Sequence, residues 1–230
     1  MAKYGVEYAV DIVFCIDATG SMSNIIQSTK DNALSFYKNL QYALEKADKH
    51  VSQIRVKVIV FRDLYVDRTM AFAQSRFFEL PEEEREYSEY VNAIVAKGGG
   101  DEPENALEAL ATAINSDWTF EGDKRRHIVI MYTDASAHPL EMAAPIRDRY
   151  KFYPNGMPHS LAELADWWDN PDPDGALTNQ SKRMIIYAPA HESWEGVATL
   201  GNTIYKESKA GRGLAELDYS EVINQITKSV

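Results

Sequence analysis

Two apolar runs in this chain stop abruptly at an aspartate, and that pattern limits the possible fold more than any other feature. Tyr8 to Ile16 is a β-branched and aromatic run that ends at Asp17, and His127 to Thr133 (HIVIMYT) is a second that ends at Asp134. A continuous apolar stretch of this length suits a parallel strand covered on both faces. After the first run, from Met22 to about Lys49, the apolar residues Ile26, Ala33, Tyr37, Leu40, Leu44 and Ala47 recur at helical separations, which predicts one buried helix face. Strand, short loop and long helix open a doubly wound α/β sheet.

The remaining elements follow the same logic. Ile54 to Phe61 predicts a second strand, and Ser75 to Leu80 a third that can only form a hairpin with it, because the connection is short. Pro81 opens the helical segment PEEEREYSEYVNAIVA, and Pro103 opens ENALEALATAIN. Ala135 to about Ser181 is proline-rich and irregular apart from the helix HSLAELADWWD. Met184 to Ala188 predicts another strand, Ser193 to Leu200 a short helix, and Asp218 to Lys228 a closing helix. No internal repeat or linker appears, so residues 1–230 read as one domain.

Charge and composition exclude several function classes. Twenty-four basic against 35 acidic residues give a net charge of -11, which repels polyphosphate backbones and anionic bilayers, so neither nucleic acid nor membrane is an expected partner. Glu7 and Asp11 interrupt the first apolar run, leaving no signal peptide or membrane span there. The single cysteine, Cys15, excludes an internal disulfide and fits a reducing compartment, hence the cytoplasm. Walker, GxGxxG and GxSxG patterns are all missing, and an enzyme is not expected; the enzymatic alternative is a metal-dependent hydrolase or phosphotransferase with Asp17 as nucleophile, against which Thr19 stands where an Asp-x-Asp pattern needs its second aspartate.

Ligands of open parallel sheets bind beyond the carboxyl ends of the strands. Three loops occupy such ends here: Asp17 to Ser23, Gly98 to Pro103, and Thr133 to Ser136. Asp17, Thr19 and Ser21 alternate with small residues, and a tight turn at Gly20 lets one carboxylate and two hydroxyls share a centre. Hard oxygen donors with few carboxylates suit Mg²⁺ or Mn²⁺ better than Zn²⁺, which wants His or Cys. The plainer alternative is that Asp17 merely ends a strand while Ser21 or Ser23 caps the next helix. His138 reads either as a rim residue of the pocket or as a hydrogen-bonded loop histidine. Among the tryptophans, one of Trp167 and Trp168 is expected in the core with the other half exposed.

With these residues in view, the chain resembles the von Willebrand factor A domain family, whose metal-ion-dependent adhesion site has the pattern Asp-x-Ser/Thr-x-Ser after the first strand. DIVFCIDATGSM, FRD, FFEL, GGGDEPENALEAL and HIVIMYTDA occur in the order of one intracellular-looking branch of that family. The resemblance implies a three-layer α/β fold of about six mainly parallel strands with one antiparallel edge strand, and a site for Mg²⁺ or Mn²⁺ that binds another protein. Asp17, Thr19 and Ser21 match the first-loop ligands and Asp134 the third-loop aspartate, while Asp101 stands where many adhesion members have threonine. Direct ligation by Asp17, Asp101 and Asp134 together would leave a divalent ion over-neutralised. The expectation is therefore that Asp101 or Asp134 acts through water, or that the site is chiefly structural.

Overall fold

The computed structural model describes residues 5–100, 102–147 and 149–208. Strand β1 (Glu7–Asp17) lies in the middle of a seven-stranded sheet, pairing in parallel with β2 (His50–Phe61) on one side and β5 (Lys124–Tyr132) on the other. Beyond β5 come β6 (Lys182–Ala188) and β7 (Thr203–Glu207), both parallel. The other edge of the sheet is antiparallel and consists of two short pieces, β3 (Phe72–Gln74) and β4 (Phe78–Leu80), each paired with β2.

That edge differs from the single strand predicted over Ser75–Leu80. Ser75 interrupts it: its hydroxyl accepts from the amide of Val58 while its own amide donates to the carbonyl of Val58, so a side chain replaces one rung of the ladder. Strand β7 was not read from the sequence at all. Its TIYKE is partly exposed along its length, as an edge strand's surroundings permit.

The period-two alternation of β1 explains why both faces of its central part are apolar. Val13 and Cys15 face one core with Ile59, Phe61 and α4 (Ala106–Ile114), whereas Ile12, Phe14 and Ile16 face a second core with α1 (Ile26–Lys46). Ala33, Tyr37, Leu40 and Leu44 of α1 are buried as the periodicity predicts, and Phe36 joins them. Ala47 is exposed, because the helix ends at Lys46 and the chain turns away toward β2. Asp11 is the exception within β1: it is fully buried, and its carboxylate takes two bonds from Arg55, at 2.8 and 2.7 Å, and one from the amide of Thr119 at 2.7 Å.

The remaining helices are α2 (Leu64–Asp67), α3 (Glu84–Asn92), α5 (Leu161–Asp169) and α6 (Glu192–Ala198). Trp168 of α5 is fully buried and Trp167 half-buried, as expected. Trp194 is also buried, and its indole donates to the carbonyl of Ala135 at 3.1 Å, tying α6 to the loop that follows β5. The predicted closing helix over Asp218–Lys228 lies outside the described residues.

Candidate functional site

The carboxyl ends of β1 and β5 are adjacent in the sheet, which brings Asp17 and Asp134 to one rim although 117 positions separate them in sequence. One continuous chain of oxygen contacts joins the two. Oδ1 of Asp17 accepts from the amide and the hydroxyl of Thr19, at 2.9 and 2.7 Å. The Thr19 hydroxyl lies 3.0 Å from that of Ser21, which in turn donates to Oδ1 of Asp134 at 3.0 Å. Neither the 3-10 turn Gly20–Asn24 nor α1 has a side-chain cap, so Ser21 spends its hydroxyl on a distant aspartate instead of on its own helix.

Two further residues hold this arrangement in place. Thr133 donates its hydroxyl to Oδ2 of Asp17 at 2.7 Å and accepts from the amide of Ala135, which fixes the buried carboxylate on its second side. Arg62 is buried, and its guanidinium donates to the carbonyls of Ala18, Lys97, Met70 and Val95, lacing the first loop to the glycine loop. Backbone bonds from Gly20 to Gly98 and from Lys97 to Ala18 close the same seam. Gly99 has φ +76°, and a Cβ there would stand 3.0 Å from both Thr19 and Glu104, so glycine is required where these loops touch.

The rim is crowded with acids. Burial pushes Asp17 up to about 6, opposed by the hydrogen bonds from Thr133 and Thr19 and reinforced by Asp134. Asp134 is also raised, chiefly by burial, with the Ser21 bond opposing and Glu102 adding to the shift. Glu104 is pushed up to about 9 by burial and then by Asp17, Asp63, Asp67 and Asp134. Its buried Oε2 has no hydrogen-bond partner among the described residues. Burial is the largest cause of all three shifts, with neighbouring carboxylates adding to it.

The separations of consecutive oxygens can be set beside those around a small hard cation. Oxygens adjacent on an octahedron with metal–oxygen bonds of 2.0–2.1 Å are about 2.9 Å apart. The contacts joining Asp17, Thr19, Ser21 and Asp134 span 2.7 to 3.0 Å. The set is two carboxylates and two hydroxyls; among the described residues, no three His, Cys, Asp or Glu side chains gather as a metal cluster. Asp101 lies outside the described residues.

The ring of His138 is not hydrogen-bonded as the plainer reading expected. It is buried against the ring of Tyr65, its ring nitrogens have no hydrogen-bond partner among the described residues, and Nε2 lies 3.9 Å from Asp63. Burial lowers its pKa, with Asp63 opposing. The supporting roles of Arg62, Thr133 and Glu104 were not assigned from the sequence. Thr133 had a visible signal, since it directly precedes the strand-end aspartate.

Fold and rim together define an α/β domain built to present a cluster of oxygen donors at the end of its central strands. Residues 11–150 match the family model of the von Willebrand factor A domain, and the chain belongs to that family. An alpha-protein kinase, vwkA of Dictyostelium discoideum, is 25% identical over 152 residues, covering 66% of this chain and 22% of the kinase. The chain thus spans about a fifth of that relative's length. The pilus adhesin SpaC of Lactobacillus rhamnosus GG superposes with a TM-score of 0.58 at 12% identity, covering 96% of this chain and 30% of the adhesin. Proximal thread matrix protein 1 of the mussel byssus, with a zinc-occupied MIDAS motif, superposes with a TM-score of 0.51 at 12% identity, covering 96% of this chain and 45% of that one. Among the described residues, no helix is long and apolar enough to cross a membrane.

Proposed function

We propose that this chain is a non-catalytic, divalent-cation-dependent protein interaction module of the cytoplasm, an adaptor or subunit of a larger assembly. Asp17, Thr19 and Ser21 would hold Mg²⁺ or Mn²⁺, with Asp134 either in the shell or one water away. The ion would supply a fixed positive charge at the rim, toward which an acidic side chain of the partner protein is drawn.

One observation carries this reading: four side chains from two distant loops join in an unbroken line of oxygens whose spacing matches that of adjacent ligands on a small hard cation. The raised carboxyl groups of Asp17 and Asp134 support it, since a cation would offset the cost that burial imposes on their charged forms. Structural likeness to an adhesin and to a matrix protein with a metal-occupied motif of this kind agrees with it. The protein kinase activity named for the longer relative is not carried over, because the chain spans so little of that protein.

The test is capture of partners on the immobilised chain with Mg²⁺ or with chelator, comparing wild type with Asp17→Ala. Recovery should depend on both the ion and Asp17, and capture indifferent to either would overturn the reading.

A further inference from the structure

A cavity of about 410 Å³ opens at the amino ends of β5 and β6, far from the acidic rim. The eight residue steps from Lys124 to Tyr132 along β5 separate the two ends by about 26 Å. Its lining is the reverse of the chain's overall character. Lys124, Arg125, Arg126 and Arg183 surround it together with Thr178 and Ser181, and Asp123 is the single acid on the wall.

On a chain with net charge -11, four cations around one small cavity call for an explanation. Like charges this close repel, and each desolvated guanidinium adds to the cost. Both Arg126 and Arg183 have lowered pKa values, from burial in each case and, for Arg126, from Arg183 next. Lys49, on the turn after α1, is lowered too, by burial and then by Lys124 and Arg126. Among the described residues, no carboxylate lies within ion-pair distance of Lys124, Arg125 or Arg183.

The two buried forks are nevertheless held firmly. Nη1 of Arg126 donates to the carbonyl of Arg125 at 2.7 Å and to that of Gln180 at 3.4 Å. Nη1 of Arg183 donates to the carbonyl of Lys182 at 2.6 Å and also to that of Gln180, at 3.2 Å. Sharing one acceptor keeps the two guanidinium groups side by side despite their repulsion. Paired, pre-positioned guanidinium groups with lysine close by match the charge and the planar, multi-oxygen geometry of a phosphate group.

We propose that this cavity is a phosphate-binding site, with Arg126 and Arg183 as the fixed forks and Lys124 and Arg125 as the outer charges. The phosphate belongs either to a free oligophosphate or to a phosphorylated side chain of a protein partner. Its size is within the range of small-ligand sites. The site is independent of the metal rim, so the two readings can fail separately.

The experiment is calorimetric titration of the metal-free full chain with pyrophosphate and, separately, with a phosphoserine peptide and its unphosphorylated counterpart. Wild type should bind at least one phosphorylated probe, more weakly as salt rises. Asp17→Ala should bind it equally well, and Arg125→Gln/Arg183→Gln at least about tenfold more weakly. Because Arg183 also anchors backbone, Lys124→Gln/Arg125→Gln serves as a second variant. Among the described residues, those two side chains lie over the rings of Tyr8 and Phe120 and anchor no backbone carbonyl. Without ligand it should melt at or above the wild-type temperature, since self-repulsion is relieved. Preference for pyrophosphate or for the phosphopeptide identifies the source of the phosphate. Binding of neither probe, or equal affinity in the Arg125→Gln/Arg183→Gln variant, overturns the proposal.

Discussion

Replacing Asp17 by asparagine should stabilise the metal-free protein and abolish its response to Mg²⁺, a pair of opposite effects that few other accounts produce. The carboxylate is fully buried, and its folded pKa of about 6 stands above the ordinary aspartate value of 3.8. An acid raised in this way costs nothing below its unfolded pKa, and the penalty grows as pH climbs through the interval between the two values. Above about pH 6 the full cost applies, and two units at 1.36 kcal/mol each amount to about 3 kcal/mol. Asparagine removes the charge, keeps an oxygen for the two Thr19 donors and offers its amide to the Thr133 hydroxyl. Allowing about 1 kcal/mol for imperfect bonding, the net gain is about 2 kcal/mol, or roughly 4–8 °C for a domain of this size.

Wild type at ~100 times the dissociation constant of Mg²⁺ should gain ~2.7 kcal/mol, whereas Asp17→Asn should shift by less than about 1 °C. Differential scanning calorimetry at pH 8, with chelator and with Mg²⁺, measures both effects. The account fails if the variant melts below wild type in chelator, or if both proteins respond alike to Mg²⁺.

Thr133→Val deletes the donor that steadies Oδ2 of Asp17, and calorimetric titration should show Mg²⁺ affinity falling about 10- to 100-fold with the fold intact. Gly99→Ala meets both a positive φ and two contacts at 3.0 Å, so urea unfolding should reveal a loss of at least about 1 kcal/mol together with weaker Mg²⁺ binding. Arg55→Ala strands the buried Asp11 carboxylate far from the rim. It should cost about 3–5 kcal/mol by chemical denaturation while leaving Mg²⁺ affinity unchanged.

The sequence made the central architecture legible because its strongest patterns are also its most buried. The run from Tyr8 to Ile16, Asp11 aside, and the run from Ile128 to Tyr132 are apolar, since cores lie on both faces of β1 and β5, and an aspartate follows each where the chain leaves the sheet. Adjacency of those two strands then brought Asp17, Thr19, Ser21 and Asp134 together. What stayed hidden depends on contacts across the chain. Strand β7 is an edge whose partly exposed positions carry no clean alternation, and the split between β3 and β4 follows from one serine bonding to Val58. Arg62 sits in an unremarkable strand end, and only the folded loops show that it binds four carbonyls. Glu104 reads as the first turn of a helix, yet it is buried beside the acidic rim.

A crystal grown with Mn²⁺ and measured near the manganese absorption edge interrogates the proposed cation site itself. The account predicts one anomalous peak within about 2.0–2.3 Å of oxygens from Asp17, Thr19 and Ser21, with Asp134 bound directly or through one water. A peak elsewhere on the molecule, or none at that rim under saturating Mn²⁺, would contradict it.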